Sequence, residues 1–284
     1  MLSETTGKIA FQGEIGAFSH QACVEVFPRM EPQPCPTFED AISAVRGGEA
    51  RLAMLPIENS IHGRVADIHH LLPDSGLYII AEHFLPIRLQ LLGMPGTTLA
   101  DVRSAQSHPV ALGQCRRFLK DHAIAPLTLA DTAGSAKALS DRPEPGLAAI
   151  ASRLAGETYG LEILAADIED AEHNTTRFLV MSRQRLEADP TCDHTVTSFV
   201  FQVRNVPAAL YKAMGGFATN GVNMIKLESY MINGSFTATR FYAEIDGHPE
   251  ERGVRLAFEE LDFFTRDLRV LGAYPAHPFR LSVV

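Results

Sequence analysis

The sequence predicts an α/β domain followed by a smaller βαββαβ unit. From Lys8 to about Leu164, short apolar runs alternate with helical patterns, as expected when strands and helices take turns around one layered core. A polar stretch from Arg183 to His194, carrying Pro190, then breaks the pattern as a linker. The expected boundaries are 1–186 for the first domain, 187–195 for the linker and 196–284 for the second. A chain of 284 residues is long enough for two cores.

The first domain opens on strand-like KIAFQ at 8–12, followed by a helix from Ser19 to Phe27 and another from Phe38 to Arg46. RLAMLPI at 51–57 reads as the next strand, and a helix follows near Gly63 to Leu72. A long extended run from Tyr78 to Met94 joins two halves of the domain around Phe84 to Leu92, which places a cleft between them. The second half continues with strand-like SAQS at 104–107, a helix from Pro109 to His122, a strand near Leu127 to Leu129 and a helix after Asp131. GLAAIAS at 146–152, LEILAA at 161–166 and FLVMS at 178–182 complete it. In the C-terminal unit the strands are Thr197 to Val203, Val222 to Ile232, Ser235 to Asp246 and Leu268 to Tyr274, with helices opened by Pro207 and spanning Glu250 to Phe264. Asn233-Gly234 between two alternating runs signals a hairpin, and the order is that of a ferredoxin-like unit.

Composition removes several function classes. The net charge of −9 disfavours nucleic acid or an anionic membrane surface as partner, since both reward clustered Lys and Arg. No apolar run approaches the roughly 20 residues of a spanning helix, and Met1 to Gly7 has no secretory pattern, so a cytoplasmic protein is expected. Four dispersed cysteines imply no disulfide, and neither they nor the His69-His70 pair has metal-ligand spacing. P-loop, nucleophile-elbow and complete dinucleotide motifs are absent, which leaves cofactor-free chemistry on a polar, anionic small molecule.

The polar motifs fall where strands end and helices begin, the place where ligands gather in α/β folds. Gly13 to Ser19 (GEIGAFS) either offers backbone N–H groups to an anion at a helix start, with Ser19 read as the N-cap, or is a strand-to-helix turn that merely needs glycine, the simpler local reading. Glu58, Asn59 and Ser60 put an acid, an amide and a hydroxyl at the end of a buried strand. They either grip a hydroxylated ligand or merely cap the next helix. Ser107-His108-Pro109 precedes a helix that carries Gln114, which spacing alone reads as an ordinary surface glutamine, and Asp131 to Ser135 is a small polar loop for which capping is a sufficient account. Arg177 sits at the edge of an apolar strand, where it either pairs with a ligand carboxylate or forms a structural salt bridge.

Taken together, GxxGAFS at 13–19, LPIENSxxGxV at 55–65, SHPxALxQC at 107–115, DTAGSAK at 131–137 and NxTRF at 174–178 resemble the prephenate dehydratase family, in its order and over nearly the whole chain. The resemblance implies a two-subdomain catalytic domain similar to type II periplasmic binding proteins, with the active site in the cleft, and a C-terminal ACT domain that binds phenylalanine. It also implies Thr176 as the central catalytic hydroxyl with Glu58, Asn59, Ser107 and Gln114 beside it. Arg177, Phe178, Ser60, Thr132 and Ser19 would bind substrate.

The implied reaction takes the ring carboxylate of prephenate off as carbon dioxide and expels the 4-hydroxyl, leaving aromatic phenylpyruvate. Aromatisation drives it, so the protein has mainly to orient the dianion and help the hydroxyl leave, with no metal or organic cofactor. Thr176 polarises the leaving group, or Glu58 protonates it if burial keeps that acid neutral. In the ACT region Ala208-Ala209-Leu210 stands where the family usually has Gly-Ala-Leu, and Glu228-Ser229-Tyr230-Met231 where it has Glu-Ser-Arg-Pro. Ala208, Ala209, Leu210, Asn223, Glu228 and Ser229 are the expected effector residues for L-phenylalanine, at the interface of a homodimer or homotetramer. Two other readings stay open: arogenate dehydratase, with the same chemistry on the aminated substrate, and a non-catalytic amino-acid sensor.

Overall fold

In a computed structural model, residues 4–171, 173–231 and 238–281 are described. The chain forms two compact units that do not follow it in order. One comprises the chain up to Val65 with His83–Phe178, the other Ala66–Glu82 with everything from Leu179.

The first unit begins with β1 (Gly7–Gln12), α1 (Phe18–Val26), β2 (Met30–Cys35), α2 (Phe38–Gly47), β3 (Leu52–Asn59) and β4 (Gly63–Arg64). α3 (Ala66–Leu71) belongs to the second unit, and β5 (Tyr78–Pro86) leads back from it. The other half of the first unit carries β6 (Gln90–Gly93), β7 (Ser104–Ser107), α4 (Pro109–Gln114), α5 (Arg116–Asp121), β8 (Ala125–Thr128), α6 (Thr132–Asp141), β9 (Leu147–Ala151), α7 (Arg153–Tyr159) and β10 (Glu162–Ala165), before β11 (Thr175–Ser182) returns. Two sheets result, in the strand orders β2-β1-β3-β11-β5, with β4 on β3, and β10-β6-β9-β7-β8.

The extended run expected from Tyr78 to Met94 is thus two strands in two sheets. Its connecting residues lie beside the returning segment: Ile87 N–H donates to Asn174 O at 2.8 Å and Ile168 N–H to Leu89 O at 2.9 Å. Two crossing segments, rather than one, join the halves.

Several other elements depart from the sequence reading. Gly63–Arg64, expected to open the helix that runs to Leu72, is the strand β4 paired with the end of β3, and the helix starts at Ala66. β2, with Pro32 and Pro34, is an edge strand pairing in parallel with β1 alone, the position in which missing N–H groups are tolerated. The helix expected from Pro109 to His122 breaks at Cys115, which leaves helical geometry with φ −118° and ψ 21°. Arg153–Tyr159, which carried no expectation, is a helix capped by Ser152 and ended by Gly160 in the left-handed region.

The second unit contains β12 (Thr195–Val203), α8 (Ala209–Thr219), β13 (Met224–Met231), β14 (Ala238–Asp246), α9 (Arg252–Phe264), β15 (Thr265–Pro275) and α10 (Pro278–Leu281). The order β13-β14-β12-β15, antiparallel throughout, is the expected ferredoxin-like, ACT-like sheet. The Asn233-Gly234 turn lies outside the described residues. Phe199, Phe201, Phe217 and Phe241 form the core beneath α8 and α9.

In the same unit, His69 Nδ1 on α3 lies 2.8 Å from Tyr230 Oη on β13. β15 passes so close to β5 that a Cβ on Gly272 would stand 2.0 Å from Ile79 O, so only glycine fits there. Arg280 bonds both carboxylate oxygens of buried Glu82, at 2.7 and 2.9 Å, and Glu244 at 3.0 Å. Among the described residues no helix is long and apolar enough to cross a membrane.

Candidate active site

A cavity of about 410 Å³ opens in the first unit between loops of its two sheets. Thr176, Asn59, Gln114, Ser19, Thr132 and Phe178 line it; Glu58, Ser60, Ser107 and Arg177 are not among its lining residues. Strand geometry explains the split at β11, where successive side chains point to opposite faces of the sheet. Thr176 and Phe178 share the cavity face, which sends Arg177 the other way.

Asn59 is the hub of the polar wall. Its Oδ1 accepts the backbone N–H groups of Ile61 and His62, both at 3.0 Å, which settles the orientation of the carboxamide. Nδ2 therefore faces Asn174 Oδ1 at 2.8 Å and Thr176 Oγ1 at 3.0 Å, with Thr175 O at 3.3 Å. Because Thr176 Oγ1 accepts from Asn59, its own hydroxyl hydrogen is left to donate. No described residue takes that hydrogen.

Gln114, the last residue of α4, places its Nε2 2.8 Å from His62 Nε2 across the cavity wall. His108 is the N-cap of α4, with Nδ1 accepting from Val110 N at 3.2 Å and Pro109 in the first turn as expected. Asp131 caps α6 through Gly134 N at 2.5 Å, which confirms the capping account of that loop.

The glycine loop is held from the opposite half. Ser152 Oγ donates to Gly16 O at 2.6 Å and Tyr159 Oη to Ile15 O at 2.7 Å. Gly16 has φ +92°, and a Cβ there would stand 2.9 Å from Ala155 Cα. Its N–H donates to His20 Nδ1 at 3.0 Å, and burial keeps His20 below the ordinary histidine value, which preserves the acceptor.

The expectation that Ser19 caps α1 is corrected. The helix starts one residue earlier, the N-cap is Ala17 with no side-chain bond, and Ser19 lies inside the first turn at the cavity. The early start follows from Ala17, whose extended φ −64° and ψ 162° is followed directly by helical geometry at Phe18.

The remaining motif residues make internal bonds. Arg177 is 2% exposed and its Nη1 lies 2.9 Å from Glu58 Oε1, with the guanidinium 5.9 Å from the Phe84 ring. Ser107 Oγ donates to Ile150 O at 2.6 Å in full burial. Ser60 Oγ donates to His173 O at 2.7 Å and accepts from Thr175 N at 2.9 Å, stitching the end of β3 to the start of β11.

In the second unit Ala208 is the N-cap of α8 at φ +59° and ψ 22°, a left-handed position, with Ala209 and Leu210 opening the helix and packing on the core. Asn223 Nδ2 donates to Asp246 Oδ2 at 2.7 Å, Glu228 lies 3.8 Å from Lys226, and Ser229 pairs in register with Phe241.

His62 and Asn174 belong to the polar wall without having been singled out. Asn174 opens the quoted NxTRF motif, so a signal was present. His62 falls on an unspecified position of LPIENSxxGxV and carries no such mark. Among the described residues no group of three or more His, Cys, Asp or Glu side chains is placed to hold a metal.

The family model described as prephenate dehydratase matches residues 9–186. A protein of Komagataeibacter europaeus named bifunctional N-acyl-homoserine lactone acylase/prephenate dehydratase is 49% identical over 272 residues, covering 96% of this chain and 97% of its own. Arogenate dehydratase/prephenate dehydratase 1, chloroplastic, of Arabidopsis thaliana is 35% identical, over 94% of this chain and 72% of its own. The solved structure of prephenate dehydratase in complex with L-Phe from Arthrobacter aurescens is similar with a TM-score of 0.85 at 31% identity, over 95% of this chain and 90% of that one.

Proposed function

The chain belongs to the prephenate dehydratase family, a family of lyases, and from that premise we propose that it converts prephenate to phenylpyruvate, carbon dioxide and water. One observation carries the assignment of the chemistry: the bond from Asn59 Nδ2 to Thr176 Oγ1 at 3.0 Å, in a cavity that Gln114 also lines. With its oxygen accepting from Asn59, the Thr176 hydroxyl is a polarised donor for the departing 4-hydroxyl. Electrons from the breaking carboxylate bond move through the ring diene as the carbon–oxygen bond breaks. Hydroxide leaves with a proton from solvent as water. Nothing in this sequence requires a metal or organic cofactor.

Glu58 does not share that role. Its side chain is not at the cavity and lies 2.9 Å from the Arg177 guanidinium. Arg177, in turn, holds Glu58 rather than the substrate. Anion binding falls to the start of α1, where no side chain caps the first backbone N–H groups and Ala17, Phe18 and Ser19 line the cavity.

Purified protein should form phenylpyruvate from prephenate faster than it consumes arogenate. Thr176→Ala should lose about 10²- to 10³-fold in kcat, while Thr176→Ser keeps most of it. Consumption of neither compound by the wild type would sink this reading and favour a sensor. L-phenylalanine acting at the ACT-like unit as a feedback inhibitor is part of the same proposal, supported by the L-Phe complex of the Arthrobacter aurescens relative. Isothermal calorimetry on the full chain tests it, and absence of a binding heat removes it.

A second reaction in the same cleft has support from the double name of the Komagataeibacter europaeus relative, which this chain matches almost end to end. Phe18, Val65, Ile87, Leu89 and Phe178 give the cavity an apolar side suited to an acyl chain. Release of homoserine lactone from an N-acyl-homoserine lactone by the wild type would establish it, and no release while prephenate turns over would dismiss it.

A further inference from the structure

The carboxamides of Asn59 and Gln114 both line the cavity, and His62 touches each of them. Its backbone N–H donates to Asn59 Oδ1 at 3.0 Å, which turns Asn59 Nδ2 toward Thr176. Its imidazole Nε2 lies 2.8 Å from Gln114 Nε2, which reaches it from α4 in the other half of the unit. With the Gln114 amide nitrogen turned to the ring, as it is here, His62 Nε2 acts as the acceptor and the ring proton resides on Nδ1. That is the less favoured tautomer of an imidazole free in water. Gln114 Oε1 is left without a partner among the described residues, at the wall of the cavity.

We propose that His62 is a positioning residue for the dehydration: it anchors the Gln114 amide by its nitrogen, so that Gln114 Oε1 is presented as an acceptor to the hydroxyl hydrogen of the substrate. The inference rests on the reaction assigned above and deepens it. Thr176 donates to the oxygen of the leaving hydroxyl while Gln114 accepts its hydrogen, and the pair orients that group for departure. Without His62 the Gln114 amide is free to turn and present its NH₂, which cannot accept.

Two measurements on the full chain decide the matter. The first is the His62 tautomer, read from long-range ¹H–¹⁵N spectra of histidine-labelled protein, with the signal assigned by its loss in His62→Gln. Protonation on Nδ1 in the wild type, reverting to Nε2 in Gln114→Ala, supports the anchoring. An Nε2-protonated ring in the wild type overturns it, whether or not the protein turns prephenate over.

The second is a kinetic cycle. His62→Phe should lower kcat about 10- to 100-fold through a misplaced Gln114, and His62→Gln, which keeps an acceptor of similar reach, should restore most of it. In a Gln114→Ala background His62→Phe should change kcat by less than about twofold, because the group it positions is gone. Equal losses in both backgrounds refute the role. A wild type inert toward both prephenate and arogenate defeats the assigned reaction, and the tautomer then still decides whether His62 anchors Gln114.

Discussion

Breaking the Arg177–Glu58 pair should cost stability in an order opposite to what exposure suggests. The Arg177 side chain is 2% exposed and Glu58 28%, with 2.9 Å between Nη1 and Oε1. Arg177→Met removes the charge and keeps much of the packing of the side-chain stem. The Glu58 carboxylate, 28% exposed, regains part of its hydration, so the loss is that of one charge-assisted bond, about 1.5–3 kcal/mol. Glu58→Met takes the anion from a cation that water does not reach, and breaking a buried pair from that side costs about 3–5 kcal/mol. The double variant should lose less than the sum of the two, since both single variants already count the loss of the same pair interaction. Urea unfolding of the four proteins near neutral pH, with KM measured alongside, checks this. An Arg177→Met protein that unfolds like the wild type but shows a KM raised tenfold or more would refute the reasoning and make Arg177 a ligand of the substrate carboxylate.

Three further outcomes follow from other sites. Ala208→Gly should stabilise the second unit by about 0.5–1 kcal/mol, because relief of a left-handed alanine at φ +59°, about 1–2 kcal/mol, exceeds the added chain entropy of glycine; a lower thermal midpoint would contradict it. Arg280→Ala should cost about 3–5 kcal/mol by leaving Glu82 and Glu244, whose side chains are 0% and 1% exposed, without their shared cation, and an unchanged urea midpoint would count against that pairing. Burial lowers the His20 pKa in the fold, so the stability it contributes is fully present above its ordinary value of 6.5 and is lost as pH falls through the lower folded value; His20→Phe should flatten the fall in stability between about pH 7 and pH 5, and an identical slope would exclude the burial of His20 as its cause.

Much of the fold was legible because hydrophobic period and turn residues agree along most of the chain. SAQS at 104–107 is the strand β7, the helix at 38–46 differs from α2 by one residue, and the βαββαβ order holds. Legibility failed where tertiary context overrides local preference. Pro32 and Pro34 argue against a strand until the sheet order shows that β2 is an edge. Cys115 splits a helix whose apolar pattern runs straight through it. Arg153–Tyr159 is too short for periodicity to announce, and its cap, Ser152, is recognisable mainly once the helix is known.

The site teaches a sharper point. Motif membership treats Thr176 and Arg177 as neighbours in one function, yet the period of two in a strand forbids adjacent side chains from sharing a face. Glu58 and Arg177 meet on the face that Thr176 and Phe178 do not occupy, and their ion pair fixes the two strands that carry Asn59 and Thr176. The motif thus mixes residues that face the cavity with residues that hold the strands in register. That division was already implicit in a strand at 178–182 extended back by three residues. What no local rule supplies is the long-range partner: His62 and Gln114 lie 52 residues apart, in different halves of the unit, and only folding brings them to 2.8 Å.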